Sequence, residues 1–372
     1  MLAFRGAYPA SEIAKRKRRT LLWALVFLIG GQLGLTSALS FWPQLQDPEI
    51  GGKLANLTAR LAEKPSRRPL VLALGTSHVG MAVRPDALPG CRPGSSELPL
   101  VFNLSVNGGD FLVDCVCLRR VLAKGIHPDW VVIEAWPLML MNEGKAIQVN
   151  ESMSVLRVRW QDFTVLSQYF GRPKRLYQEW FRVRLLPWYW YRYYLLSRFV
   201  PDWLPQANRV DCIWNNLDAW GWQWVPGHVN VDPDTYRRRI ESLQYQYTTG
   251  LKGFRVSDAA DRLVRNLILT CRENQIAIAL IRMPEASQIR SCYPPEVGAE
   301  LSRYFSRLTQ ELATPVIDAH DWVDDSGFSD GHHLTPTGAT TFMRRFEREF
   351  LQPIMAGQSP CSSCSVKASS GK

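Results

Sequence analysis

The chain has 372 residues, 46% hydrophobic and 21% charged, a globular composition long enough for one large domain or two ordinary ones. Its net charge of +10 is local: residues 1–20 carry +5 and residues 171–200 carry +6, which leaves the remainder near neutral. Basicity confined in this way, without zinc-finger spacing or an RNA-binding signature, argues against nucleic-acid binding and toward lipid headgroups or acidic polymers.

Residues 1–19 form a basic arm that ends in KRKRR. No ionisable side chain occurs between Arg19 and Asp47, and residues 20–42 read TLLWALVFLIGGQLGLTSALSFW. A helix of that length crosses a hydrocarbon core about 30 Å thick. The basic cluster stays cytoplasmic, so the rest of the chain is expected outside the cytoplasm, periplasmic or extracellular. A retained anchor is favoured over a cleaved signal peptide, whose apolar region spans only about 7–15 residues.

Residues 43–68 read as a polar, partly helical stem. From there short apolar runs at 70–74, 100–104, 130–135, 276–281 and 315–319 alternate with helical patterns at 111–124, 258–274, 300–312 and 337–350. Strands and helices in alternation predict an α/β domain over residues 69–356, a parallel sheet with helices on both faces. The alternation breaks between about 145 and 255, which reads as an insertion between the third and fourth strands. The tail, 357–372, is rich in Ser, Cys, Gly and Lys and reads as disordered. Its Cys361 and Cys364 leave a disulfide, a metal site or no role open, while Cys115 and Cys117 read as small buried core residues.

Two segments carry chemistry. Gly75-Thr76-Ser77-His78 follows the first strand, where α/β sheets place ligands, so Ser77 can project a hydroxyl into the crevice with its own N–H facing a developing oxyanion. Asp330-Gly331-His332-His333 precedes Thr335, a good helix N-cap, and Pro336, a good first helical residue. An Asp three residues before a His supplies a base together with the partner that fixes its tautomer. His332 lies beside that base, and His78 either lines the site or opens the helix. His127, His228 and His320 show no ligand-like spacing. No metal or nucleotide motif occurs, and neither a metal nor a cofactor is expected.

In this order the two segments resemble the SGNH/GDSL hydrolase superfamily, in its membrane-anchored branch of polysaccharide O-acetyltransferase type. DGHHLTPTGA is similar to that family's last block, GTSH to its first, and NLSVNGG at 103–109 to its second. The resemblance covers about 69–140 and 257–352. It implies a three-layer flavodoxin-like fold, a Ser77–His333–Asp330 triad, and an oxyanion hole from Ser77 and Gly108. It departs at the third block, where G-x-N-D is replaced by Glu134-Ala135-Trp136-Pro137; Asn107 is the candidate that could substitute as a donor. The implied activity is an extracytoplasmic serine esterase or O-acyltransferase acting on a glycan or lipid-linked acyl ester. The missing Asn keeps open an inactive membrane-anchored scaffold of an envelope polysaccharide assembly complex.

The insertion holds ten aromatic residues within 171–200, interleaved with arginines. Membrane-surface contact, docking against a partner protein and a helical cap on the core remain open. Trp220, Trp222 and Trp224 alternate, which predicts one face of an extended strand, packed under the cap or stacked on sugar rings.

Overall fold

The computed structural model describes residues 10–63, 68–91, 98–141, 153–169, 172–228, 231–358 and 360. Helix α1 (Ala10–Phe41) is followed by one turn, α2 (Pro43–Gln46), and by α3 (Pro48–Ala62). Strand β1 (Leu70–Leu74) leads into α4 (Ser77–Ala82), β2 (Leu100–Asn103) into α5 (Phe111–Leu122), and β3 (Trp130–Glu134) into the turn α6 (Pro137–Leu140). Helices α7 (Phe163–Tyr169), α8 (Pro173–Leu185), α9 (Pro187–Phe199), α10 (Cys212–Asn215) and α11 (Pro233–Gly250) then precede α12 (Asp258–Glu273). Strand β4 (Ala277–Arg282), α13 (Ser287–Arg290), α14 (Pro295–Leu312), β5 (Val316–Asp318) and α15 (Pro336–Phe346) follow, and a π turn at Glu347–Leu351 joins α15 to α16 (Gln352–Met355).

The five strands form one parallel sheet in the order β2-β1-β3-β4-β5. Burial on both faces explains why the strands read as continuous apolar runs. Leu70, Leu72 and Leu74 join one apolar cluster with residues of α3, α5, α12 and α14. Val71 and Ala73, pointing the other way, join a second with Val79 of α4 and Phe342 and Phe346 of α15. Side chains cap the helices that frame the sheet: Asp110 accepts from Leu112 N and Val113 N, Ser257 from Ala260 N, and Thr335 from Gly338 N.

The structure refines two expectations and overturns a third. The stem is helical over Pro48–Ala62 but not polar throughout: Ile50, Leu54 and Leu57 of α3 are buried in the main core, because its apolar residues fall on one helical face. The tryptophan triplet is not on an extended strand. Residues 217–223 fold back through Gly221, whose φ is +81°, and Trp220 O accepts from Asn103 N at 3.0 Å at the sheet edge. Trp222 is buried and donates from Nε1 to Met81 O, so it packs rather than stacks on ligand. The insertion is packed on the domain through α11, whose Ile240, Leu243 and Tyr247 enter the core. Residues 361–372, with Cys361 and Cys364, lie outside the described residues; Cys115 and Cys117 are free and buried.

A buried ionic cluster ties the start of α3 to the insertion. Arg120 of α5 donates to Asp162 at 2.7 Å, to Asp47 at 3.2 Å and to Arg157 O at 2.6 Å, and Arg157 donates to Glu49 at 2.8 Å. Removing one member of such a cluster strands opposite charge in the interior. Arg120→Met is expected to lower the unfolding free energy of the folded chain by about 3–5 kcal/mol, read as the shift of a denaturant midpoint at constant m-value.

Candidate active site

The turn after β1 is shaped by what surrounds Gly75. Its φ is +147°, and a Cβ there would meet Glu134 Oε2 and Cβ at 2.6 Å, so only glycine fits. Glu134, fully buried at the end of β3, accepts from Thr76 N at 2.7 Å and from Thr76 Oγ1 at 2.9 Å. Its other oxygen accepts from His78 Nδ1 at 2.7 Å. Buried Asp114 accepts from Gly75 N, and burial followed by the nearby Asp110 and Glu134 pushes its carboxyl well above the ordinary range. Clamped in this way, the turn presents Ser77 as the first residue of α4, with Thr76 as its N-cap.

The second turn arrives from the far end of the chain. Gly331, at φ +105°, lets residues 330–333 pass beneath Ile240 and Ile289, where a Cβ would sit 2.7–2.8 Å from their side chains. Asp330 Oδ1 accepts from His333 N at 2.9 Å and from His332 N at 3.2 Å. Its Oδ2 lies 2.7 Å from His333 Nδ1, and His333 Nε2 lies 2.8 Å from Ser77 Oγ. Burial pushes the Asp330 carboxyl up, but the hydrogen bond and charge of His333 outweigh it and hold it well below the usual carboxylate range. An ionised Asp330 can only accept, so His333 carries its proton on Nδ1 and turns a lone pair on Nε2 toward the Ser77 hydroxyl.

The structure therefore brings Ser77, Asp330 and His333 together. Asn107 and Gly108 stand on the neighbouring loop, which is tied to the Ser77 turn by Val106 N donating to Gly75 O at 2.9 Å. Gly108 is exposed at φ +64°. The Asn107 N–H is committed to Glu49 Oε1 at 2.8 Å, which leaves its side chain as the free donor. Buried Lys53 holds the same loop by donating to Ser105 O at 2.8 Å; burial lowers its ammonium to about 8, with Glu49 pulling the other way.

His78 and His332, flagged in the sequence as neighbours of the site, line it, whereas Glu134, His228, Tyr247, Glu285 and Tyr293 were given no role there. His78 is buried between Glu134 and His332 Nδ1, 3.0 Å from its Nε2. Burial lowers its pKa, and the charge and hydrogen bond of Glu134 reverse that and raise it. His332 is held neutral, first by burial and then by His78 and His333. Behind it, Glu285 accepts from Tyr247 at 2.6 Å, Tyr293 at 3.0 Å and His320 at 2.8 Å. His228 donates from Nδ1 to Ser329 Oγ at 2.7 Å and lies 3.5 Å from Asp330 Oδ2. Of the residues given no role there, Glu134 alone left a sequence signal: a carboxylate closing an otherwise apolar buried strand.

A cavity of about 300 Å³ opens beside the imidazole, between the 330–333 turn and Arg239, Ser242, Leu243 and Gln246 of α11. Two groupings, His78 with His332 and His333, and His228 with Asp330 and His333, each have donor atoms within 4.8 Å of one another and could hold a metal ion. In both, His333 would have to give up the partners its two ring nitrogens already have. Neither protein-family models nor curated proteins give a match to this chain.

Burial, followed by the proximity of His333, lowers His228 to about 4, below the ordinary 6.5. Between these values the unfolded chain takes up a proton that the folded chain refuses, so stability falls as pH drops from about 6.5 toward 4. His228→Asn is expected to flatten that limb of the stability profile, as measured by denaturant titrations at stepped pH; an unchanged acid limb would contradict the assignment.

Proposed function

We propose that this chain is a membrane-anchored serine esterase or O-acyltransferase of SGNH/GDSL type, with α1 spanning the bilayer and the α/β domain outside the cytoplasm. One observation carries the reading: a hydroxyl, an imidazole and a carboxylate in sequence at 2.8 and 2.7 Å, from turns 256 positions apart. The parallel sheet with apolar clusters on either side is in keeping with the three-layer fold that the family resemblance implies. For the anchor, the support is one helix stretch, Ala14–Phe41, long and apolar enough to span a membrane, with the basic cluster Lys15–Arg19 at its N-terminal end.

Ser77 Oγ attacks the acyl carbonyl as His333 Nε2 takes its proton, while Asp330 stabilises the imidazolium. The tetrahedral oxyanion is met by the N–H groups of Ser77 and Gly108 and by the Asn107 side chain. Collapse expels the alcohol, which leaves with the proton from His333. Water or a sugar hydroxyl then gives its own proton to His333 and attacks the acyl-serine, releasing acid or a new ester. The cavity lined by Arg239, Ser242 and Gln246 suits a polyhydroxylated acceptor better than an apolar one.

The test is turnover by the full chain in nanodiscs, with p-nitrophenyl acetate as donor and an oligosaccharide as acceptor, read by mass. Ser77→Ala and His333→Asn are each expected to lower the rate at least about 10³-fold. Acetylated sugar identifies a transferase and free acetate alone an esterase. No turnover above the Ser77→Ala background would turn the reading to the inactive scaffold, which the missing third-block Asn favours.

A further inference from the structure

The α8–α9 pair does not stand clear of the apolar helix. A Cβ on Gly31 of α1 would lie 3.9 Å from Trp188 Nε1, at the start of α9. Thr36 Oγ1 donates to Arg184 O at 3.4 Å, near the end of α8. Leu39 is buried with Val183 and Tyr191. The elbow between α8 and α9 therefore lies alongside α1 at Gly31, and α9 runs from there toward Leu39.

The depth of that contact follows from charge. A span that begins after Arg19 needs about 20 apolar residues, so it ends near Leu39. Gly31 lies about 15 Å before Phe41 along the helix axis, at about 1.5 Å per residue. Whatever solvates the outer half of α1 also meets the elbow packed on it. Phe181, Leu185, Leu186, Trp188 and Tyr189 present an apolar surface there, each between 52% and 58% exposed. The nearby cation suits this place: the Arg192 guanidinium lies over the rings of Tyr189 and Tyr193, each 4.4 Å away, where its stem can stay apolar while the head reaches outward.

We infer that the α8–α9 elbow is a second membrane attachment, inserted among the lipid acyl chains of the leaflet on the domain's side. With α1 it holds the α/β domain at a fixed height and tilt. Phe27, one turn before Gly31 on the same face of α1, is 73% exposed, so the apolar surface of the span leads on to that of the elbow, which singles out lipid as its occupant.

The test uses tryptophan fluorescence of the full chain in phosphatidylcholine nanodiscs, with ordinary or mid-chain-brominated lipid. The emission lost in Trp188→Phe, obtained by difference from wild type, is expected to be quenched by brominated lipid and shielded from aqueous iodide. Leu186→Trp adds emission that should behave in the same way, which guards against a local disturbance in the first variant. Emission quenched by iodide and indifferent to bromine would put the elbow in water and overturn the inference. Emission reached by neither quencher would mean that protein, such as a second copy, covers it, and would overturn it equally.

Discussion

The carboxylate of Glu134 is the constraint from which the site is built. A carboxyl group at the end of a strand buried on both faces is costly unless it is hydrogen-bonded, and here two donors from Thr76 and one from His78 engage it. Those bonds fix the backbone on either side of Ser77. They leave no room for a side chain at residue 75, which accounts for the glycine there. Glu134 opens the segment Glu134-Ala135-Trp136-Pro137, in which Trp136, donating from Nε1 to Tyr247 at 2.8 Å, stands where the resembling family offers an amide donor.

The segment that follows α1 belongs to the same construction. Glu49 and Lys53 of α3 reach the loop at 105–107 from below, and Asp47 and Glu49 meet the arginines of α5 and the insertion. Helix α1 thereby continues into the support of the candidate oxyanion loop through two short connections. Displacing α1 would disturb the backbone that carries Asn107 and Gly108.

Much of this was legible in the sequence, for physical reasons that differ by element. The strands were readable because double burial makes them uniformly apolar, as at Leu70–Leu74. Helix α15 was readable from Thr335 and Pro336, whose cap and first-turn roles are local. Ser77, Asp330 and His333 were readable because each sits on a turn whose neighbours announce it. The rest depends on distance in the chain. His228 approaches Asp330 from 102 positions away, with nothing in its own neighbourhood to mark it. Tyr247 and Glu285 likewise meet only through the fold. The 220–224 alternation misled because Gly221 takes a positive φ, and a turn breaks the period that a strand would have kept.

The central claim is that Ser77 is an activated nucleophile. A fluorophosphonate probe, which reacts with activated serine hydroxyls and leaves ordinary ones alone, tests it most directly on the full chain in nanodiscs, with the modified peptide located by mass spectrometry. The account predicts a single adduct on Ser77 that disappears in His333→Asn while the fold persists. A folded wild-type chain that stays unmodified, or an adduct on another residue, would contradict it.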